Sequence, residues 1–228
     1  MTQHMAHTYR VNSIFYSLQG EGANTGRAAL FVRFAGCNLR CSFCDTEFET
    51  FTTYSAEDIV ARLLGYCKDC GLTEAKPMVV LTGGEPTLQA DEYLVDMLHG
   101  EGFYVAMESN GTRPAPPNLD WLTVSPKYVE PSSYDAADEI KVVFTMEMAK
   151  SDTGLLEKLG GLHGQSAAVC GDSFAVGRTQ HRPLLFLQPC DTGDNTLNGV
   201  IVKACVEYIK QHPQWRLSLQ THKLIGIE

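Results

Sequence analysis

The stretch that decides the fold is "FVRFAGCNLRCSFCDT", residues 31–46. A strand-like apolar run leads directly into three cysteines, Cys37, Cys41 and Cys44, in the pattern C-x3-C-x2-C. A loop this short brings three thiolates close together, and clustered thiolates are typical of metal centres. The stretch therefore predicts a metal-binding loop at the carboxyl end of a strand.

Similar apolar runs recur along the 228-residue chain, and helix-like segments lie between several of them. Strands are predicted at 29–34, 78–82, 103–108, 121–125, 139–144, 183–188 and 215–220, and helices after Ser55, at 91–100 with Gly100 as its C-cap, and at 199–212. Runs that are apolar throughout are typical of parallel strands buried on both faces. We expect one α/β domain over residues 1–228, either an open doubly wound sheet or a barrel, with its site at the carboxyl ends of the strands.

The composition narrows the classes of function. The net charge is −9, and the Lys and Arg residues are scattered rather than gathered into the basic stripe that nucleic-acid binding requires. No apolar run reaches the roughly 18–20 residues of a membrane span, and the N-terminus lacks the layout of a signal peptide. We expect a cytoplasmic protein with reduced cysteines that acts on a small molecule, without nucleic-acid or membrane partners.

Three interpretations of the cysteines remain open at this point. Structural zinc requires four ligands, and Cys67 with Cys70 would complete an all-cysteine site. An iron–sulfur cluster of four irons takes one thiolate per iron, so three cysteines leave one iron open to a small molecule. The third interpretation is cysteines packed in a core without metal. The spacing favours the cluster.

A second motif follows the next predicted strand, where "LTGGEP" occupies residues 81–86. Together with the cysteine spacing and Phe43 before Cys44, it resembles the radical S-adenosylmethionine (SAM) enzymes. The resemblance implies a partial, six-stranded barrel of the TIM type, a 4Fe–4S cluster on the three cysteines, and SAM on the open iron. In that family one electron cleaves SAM to methionine and a 5′-deoxyadenosyl radical, which takes hydrogen from the substrate.

The same resemblance implies which residues contact SAM. Glu85 would accept the ammonium group of SAM's methionine moiety, and Gly84 would let the backbone approach it closely. Glu108, at the end of another predicted strand, would also face SAM. The full set implied for SAM is Phe43, Cys44, Asp45, Gly84, Glu85, Ser125, Pro126, Lys127, Gln188, Pro189, Cys190 and Asp191.

A narrower resemblance begins at "SLQGEG", residues 17–22, which precedes the strand that carries Arg33. With "CDT" and the tail "RLSLQTHKLIGIE", it resembles the 7-carboxy-7-deazaguanine synthase family. The resemblance implies that Arg33 holds the carboxylate of a pterin substrate, that Thr46 binds Mg²⁺, and that the N-terminal segment and the C-terminal tail close the site. The residues implied to bind substrate are Leu18, Gln19, Gly20, Glu21, Arg33, Thr82, Gln220 and His222.

The reaction implied by this family converts 6-carboxy-5,6,7,8-tetrahydropterin to 7-carboxy-7-deazaguanine with loss of ammonia and regeneration of SAM, in the 7-deazapurine branch that leads to queuosine. Family habit also implies a homodimer and an electron donor such as flavodoxin or ferredoxin. Two alternatives share part of the pattern. A glycyl-radical activase would need the cysteines and GGEP but not Arg33 or Thr46, and a zinc-binding interaction module would need no substrate residues.

Overall fold

A nine-stranded open sheet forms the centre of the computed structural model, which describes residues 7–44, 46–72, 75–127, 136–150, 154–161 and 182–227. Within these residues the strand order is β3-β1-β2-β4-β5-β6-β7-β8-β9. The strands are β1 (Thr8–Leu18), β2 (Ala28–Phe34), β3 (Thr52–Ser55), β4 (Met78–Gly83), β5 (Val105–Ser109), β6 (Trp121–Val124), β7 (Glu139–Phe144), β8 (Leu184–Pro189) and β9 (Trp215–Leu217).

The direction of the strands decides where a site can form. β1 pairs antiparallel with β2 and β3, and every neighbouring pair from β2 to β9 is parallel. Seven strands therefore end at the same edge of the sheet. Loops that follow these ends are the usual positions of ligand sites in parallel sheets.

The helices begin where local side chains satisfy their first N–H groups. They are α1 (Ala56–Asp69), α2 (Glu92–Gly100), α3 (Met146–Lys150), α4 (Gly154–Gly161), α5 (Asn195–Gln211) and α6 (Thr221–Ile225). Ser55 and Asp58 form a reciprocal capping box at the start of α1, while Asp91 and Asp194 cap α2 and α5.

Side chains of α1, α2, α4 and α5 pack on one face of the sheet. Ile59, Leu94 and Ile201 belong to the same core as Val79 and Leu81 of β4, which project to this face. The intervening residues of the strands project to the other face, because side chains alternate along a strand. In the described part of the chain, buried apolar residues on that other face form only a small second cluster, made by Ala29, Met78, Val80 and Ala106.

The α/β class is confirmed, and so are the seven predicted strands, with small shifts at the ends of most and with β9 only half as long as the predicted 215–220. In the described ranges the buried helix side chains lie in one core on one face of the sheet, which disagrees with the doubly wound alternative. The sheet has nine strands rather than six: the six parallel strands β2 and β4 to β8 agree with the expected partial barrel, and β1, β3 and β9 extend it. No helix in the described ranges is both long and apolar enough to cross a membrane.

Two predicted helix ends are wrong. α2 contains Gly100, and its left-handed residue is Gly102, with φ +76°, whose N–H bonds to the His99 carbonyl. α5 begins at Asn195 rather than at 199, because the carboxylate of Asp194 accepts hydrogen bonds from the N–H groups of Thr196 and Leu197. The Gly- and Ser-containing stretch 163–182, which the sequence predicts to be a loop, lies almost entirely outside the described residues.

Candidate active site

A cavity of about 580 Å³ lies on the face of the sheet opposite the helix-packed core. Residues at or near the carboxyl ends of β2, β4, β5, β6 and β8 contribute to its wall, as do the segments around residues 19–21 and 220–223. Cys37, Cys41 and Cys44 line it together with Gln19, Arg33 and other polar side chains. The cavity therefore brings the cysteine loop and the residues implied to bind substrate into one space.

Close backbone contacts hold the cysteine loop against β4. The N–H of Gly84 donates to the Phe34 carbonyl, and the N–H of Glu85 donates to the Gly36 carbonyl, both at 2.9 Å. A side chain at position 84 has no room, since its Cβ would lie 2.1 Å from the Gly36 oxygen and 3.1 Å from the Cys37 Cβ. The glycine of this turn is thus required by the approach of the loop.

A polar bridge holds the same loop from the side of β5. Asn110, just after β5, donates from its side-chain amide to the Asn38 amide oxygen at 3.0 Å, and Asn38 donates to the Thr112 hydroxyl at 2.7 Å. The loop is thereby connected to the ends of two neighbouring strands. Its position depends on residues more than 70 positions away in the chain.

Glu85 does not face the cavity as expected. Its side chain is fully buried, and its carboxylate accepts hydrogen bonds from the N–H and hydroxyl of Thr87, the Ser109 hydroxyl and the Asn110 N–H, at 2.7–3.0 Å. These four bonds occupy the usual acceptor capacity of a carboxylate. These bonds fix the turn after β4, and the assignment of Glu85 to the ammonium group of SAM stays a prediction.

The three thiols fit a cluster better than a single ion. Among the described residues, no three His, Cys, Asp or Glu side chains gather around one ion-sized point. A cluster does not require such a point, because each thiolate binds a different iron. Burial raises the pKa of the Cys37 and Cys41 thiols, the latter against an opposing effect of the Lys127 ammonium, so ligation would release protons.

Cys67 and Cys70 do not complete a four-cysteine site with the loop. Cys67 is buried in the core on α1, Cys70 is exposed at the end of that helix, and neither lines the cavity. These two cysteines are core and helix-end residues. Cys190, after β8, does line the cavity.

The other end of the cavity contains a buried network of charged and amide side chains. The ammonium of Lys141, on β7, lies 2.6 Å from Glu21 Oε2 and 2.9 Å from Glu108 Oε2. Gln220 donates to Glu21 Oε1 at 3.0 Å, and Gln19 donates to Glu108 Oε1 at 2.7 Å. Burial opposes ionisation of Glu21, but the Lys141 ammonium outweighs it and lowers the pKa of Glu21 to about 2.

The loop at residues 19–24 is fixed from two sides. Thr221 donates from its N–H and from its hydroxyl to the Gly20 carbonyl, both at 2.9 Å, and a Cβ on Gly20 would lie 2.1 Å from His222 Nδ1. On the other side the Glu139 carboxylate accepts from the Ala23 N–H at 2.8 Å. Burial raises the pKa of Glu139 to about 7, although Lys141 and the Ala23 N–H act in the opposite direction.

Residues suited to an acidic substrate and a cation also line the cavity. The Arg33 guanidinium lies over the Phe15 ring, 5.0 Å from its centroid, and lines the cavity. Thr46 and Glu47 also line it. The Glu47 carboxylate accepts from the N–H groups of Glu49 and Thr50, and these bonds hold the segment that carries Thr46. A hydroxyl beside a carboxylate suits the oxygen preference of Mg²⁺.

Most of the residues implied by the resemblance lie in the wall of this one cavity. They are Leu18, Gln19, Gly20, Glu21, Arg33, Cys37, Cys41, Phe43, Cys44, Thr46, Thr82, Gly84, Ser125, Lys127, Gln188, Pro189, Cys190, Asp191, Gln220 and His222, with Glu108. Pro126 is buried and, like Glu85, is not part of the wall. Asp45 lies outside the described residues.

Comparison with known proteins gives a consistent result. The model of the radical SAM superfamily matches residues 31–139. A 7-carboxy-7-deazaguanine synthase of Bacteroides thetaiotaomicron is 41% identical over 96% of this chain and 98% of its own length, and one of Bordetella pertussis is 40% identical over 96% and 99%. The chain belongs to the 7-carboxy-7-deazaguanine synthase family.

The structure agrees with this assignment. The crystal structure of QueE from Escherichia coli matches with a TM-score of 0.67 and 28% identity, over 93% of both chains. Membership of a radical SAM family implies a 4Fe–4S cluster and SAM, and the three cysteines lie together in the cavity wall. The family assignment favours the synthase over the activase and over the zinc module.

Sequence reasoning did not find Lys141, Glu139 or Asn110 in this synthase-family site. A signal for the first two was present, because Glu139 and Lys141 are charged residues two apart in the otherwise apolar strand "EIKVVF". Two such residues share one face of a strand, and a buried charge needs a partner. The sequence gives no indication of which partners those are.

Proposed function

We propose that this protein converts 6-carboxy-5,6,7,8-tetrahydropterin to 7-carboxy-7-deazaguanine and ammonia, in the 7-deazapurine branch that leads to queuosine. The observation that carries the proposal is the single cavity that joins the three-cysteine loop to the polar pocket around Arg33, Glu21 and Glu108. A radical generated at one end then reaches a substrate held at the other. The names of the family relatives, quoted above, support the same reaction.

At the cysteine end, Cys37, Cys41 and Cys44 would each bind one iron and leave the fourth iron for SAM. The cluster and SAM together supply the 5′-deoxyadenosyl radical that takes a hydrogen atom from carbon 6 of the pterin. The backbone around Gly84 permits a close approach to SAM, and Ser125, Lys127, Gln188, Pro189, Cys190 and Asp191 line the wall where it would lie.

At the other end, the charges match the two polar edges of a carboxypterin. Arg33 would pair with the substrate carboxylate through two parallel N–H···O bonds. Glu21 and Glu108 would accept hydrogen bonds from the N–H groups of the pyrimidine ring, while Gln220 and His222 close the wall above it. Opposite charges at opposite ends of one substrate fix its orientation, which decides which carbon faces the radical.

We also propose that Mg²⁺ binds between the Thr46 hydroxyl and the substrate carboxylate. Mg²⁺ commonly takes few protein ligands and keeps substrate oxygens or water, and Thr46 lies in the same wall as Arg33. The cation would then act as a template that orients the carboxylate. Titration of turnover with Mg²⁺ after removal of divalent ions tests this role.

The decisive experiment is an anaerobic assay with reconstituted protein, SAM, dithionite and 6-carboxy-5,6,7,8-tetrahydropterin, followed by mass spectrometry. We expect 7-carboxy-7-deazaguanine and ammonia in equal amounts, with no net consumption of SAM. Cleavage of SAM to 5′-deoxyadenosine without the deazaguanine would overturn the proposed substrate and leave only radical SAM chemistry.

The remaining proposals concern the assembly. We propose one radical SAM domain over residues 1–228, a homodimer, and reduction of the cluster by a flavodoxin or a ferredoxin, as the family resemblance implies. Sedimentation of the purified protein tests the dimer. Replacement of dithionite by a reduced flavodoxin or ferredoxin in the assay tests the donor.

A further inference from the structure

Strand β7 carries two charged side chains on the face that lines the cavity region. Glu139 and Lys141 are two residues apart, so they project to the same face of the strand. The side chain of Lys141 is 4% exposed, and its ammonium bridges Glu21 on the loop at residues 19–24 (the substrate loop) and Glu108 at the end of β5. One buried lysine thus connects three separate segments of the chain.

The bridge fixes the orientation of both carboxylates. In each, Oε2 faces Lys141, and Oε1 accepts from an amide, which is Gln220 for Glu21 and Gln19 for Glu108. An ionised carboxylate has about four acceptor positions, so each retains acceptor capacity beyond these two contacts. Both carboxylates line the cavity, where that capacity is available to a ligand.

Lys141 gives each of the two carboxylates one ion pair, and Lys127 after β6 and His222 on α6 also act on this network electrostatically. What remains for a ligand is hydrogen-bond acceptor capacity on two carboxylates held side by side. That capacity favours a ligand that presents several N–H donors together. An aminopyrimidinone ring, with a ring N–H beside an amino group, has that edge.

We propose that Lys141 is a positioning residue that holds Glu21 and Glu108 as a paired acceptor site for the N–H edge of an aminopyrimidinone substrate. The inference rests on the proposed function, because it assigns the acceptors for that substrate. It predicts a selective loss of affinity for the pterin and the deazaguanine product when Lys141 is neutralised. SAM, at the other end of the cavity, is expected to bind as before.

The test uses the reconstituted holoenzyme of Lys141→Met, Lys141→Arg and a surface control, Lys210→Met. Lys210 pairs with Glu207 on the exposed side of α5, far from the cavity wall. For Lys141→Met we expect the KM of the carboxypterin and the Kd of 7-carboxy-7-deazaguanine to rise about 30-fold, the size expected for a displaced charged hydrogen bond. The Kd of SAM and the cluster absorbance are expected to stay within about twofold.

A pH series separates positioning from a merely structural role. The charged groups that face Glu21 and Glu108 are Lys141 and Glu139 on β7, Lys127 after β6 and His222 on α6. Without Lys141, Glu21 takes up a proton more readily. Product binding by Lys141→Met should therefore strengthen as the pH rises from about 6 to 8, whereas binding by the parent protein should change less. Lys141→Arg, which keeps the charge, should restore part of the affinity.

Loss of two buried charge contacts can also destabilise the folded protein. The double variant Lys141→Met/Glu139→Gln is therefore measured beside Lys141→Met, because it also removes a neighbouring acid. Unchanged product affinity in folded Lys141→Met overturns the inference and leaves the proposed function intact. An equal loss of SAM and product affinity, with no pH dependence, assigns Lys141 a structural role and also overturns it. If the parent protein binds neither carboxypterin nor product, the proposed function fails and the inference fails with it.

Discussion

The two ends of the cavity are built in opposite ways. At the cysteine end, the three thiols lie within eight consecutive residues, and the loop is held mainly by backbone contacts at Gly36 and Gly84. At the other end, the polar groups come from distant parts of the chain: Lys141 and Glu21 are 120 positions apart, and Gln220 and Glu21 are 199 apart. Ligands for the cluster are local, whereas ligands for the substrate are assembled by the fold.

The difference indicates how each end should respond to change. A short loop held by the backbone has no spare volume, so added atoms should disrupt it. A network of buried ion pairs is sensitive to charge and pH, because desolvation penalises every unpaired group.

The largest effect is expected from Cys41→Ala. With two thiolates left, the cluster loses a ligand, and both the brown iron–sulfur absorbance and turnover should disappear. The control is Cys70→Ala, since Cys70 is exposed at the end of α1 and outside the cavity wall. Full turnover by Cys41→Ala would contradict the assignment of the cluster to these cysteines. The iron content and the activity of Cys70→Ala should equal those of the parent protein.

The next effect is expected from Gly84→Ala, which tests the backbone contact at the cysteine loop. Its Cβ would lie 2.1 Å from the Gly36 oxygen, so the loop must move, and we expect a loss of at least about 2 kcal/mol in the free energy of unfolding. The matched control is Gly65→Ala in α1, where nothing lies within 4 Å of the added Cβ. There, helix propensity should raise stability by about 0.5–1 kcal/mol. Urea denaturation measures both, and equal effects would contradict the packing argument.

A smaller effect is expected from Glu139 when the pH changes. Its pKa of about 7 in the folded protein exceeds the ordinary value of 4.5, so the folded state keeps a proton that the unfolded state releases. The free energy of unfolding should therefore fall as the pH rises from about 4.5 through 7, by on the order of 3 kcal/mol at most. The side chain at position 139 cannot ionise in Glu139→Gln, so the free energy of unfolding of this variant should lose this part of its dependence on pH.

Denaturation of the parent and of Glu139→Gln at several pH values between about 5 and 8 measures the difference in slope. Glu92→Gln is the control, because Glu92 is exposed at the start of α2 and should leave the slope unchanged. Parallel curves for the parent and Glu139→Gln would show that Glu139 is ionised in the folded protein at neutral pH.

The smallest effect is expected from Lys223→Met. The Lys223 ammonium lies 2.8 Å from Asp191 Oδ2, and both side chains are 35% exposed, so solvent weakens the pair. Exposed pairs contribute about 0.2–1 kcal/mol, and we expect the KM of the carboxypterin to change less than about fivefold. A change as large as that of Lys141→Met would mean that the tail, rather than the buried network, governs substrate affinity.

The parts of the fold that sequence predicted are those with a strong local signal. Most of the seven predicted strands are near-continuous apolar runs, and Ser55 with Asp58 marks the start of α1. The sequence did not predict β1, because buried and exposed residues alternate irregularly along it and leave no continuous apolar run. It did not predict β3, because that strand is four residues long and largely polar. β1 pairs with β2, and β3 pairs with β1, through contacts between segments that are distant in the sequence.

The same limit applies to the site. The cysteine spacing and GGEP are local, so the cluster loop could be predicted from the residues themselves. The carboxylate of Glu85 was assigned to a ligand because the sequence does not show that Thr87, Ser109 and Asn110 bond to it. The bridge through Lys141 depends on the register of β5, β7 and the substrate loop, which no short motif encodes.

The hydrogen bonds from Thr221 to Gly20 join two residues that are synthesised far apart in time. The two residues are 201 positions apart, so at about 5–20 residues per second the second emerges roughly 10–40 seconds after the first. The cysteine loop and strands β1, β2 and β4 are synthesised well before then. A nascent chain therefore contains its three cysteines well before Thr221 is synthesised, so the contact that fixes Gly20 is among the last in the site to form.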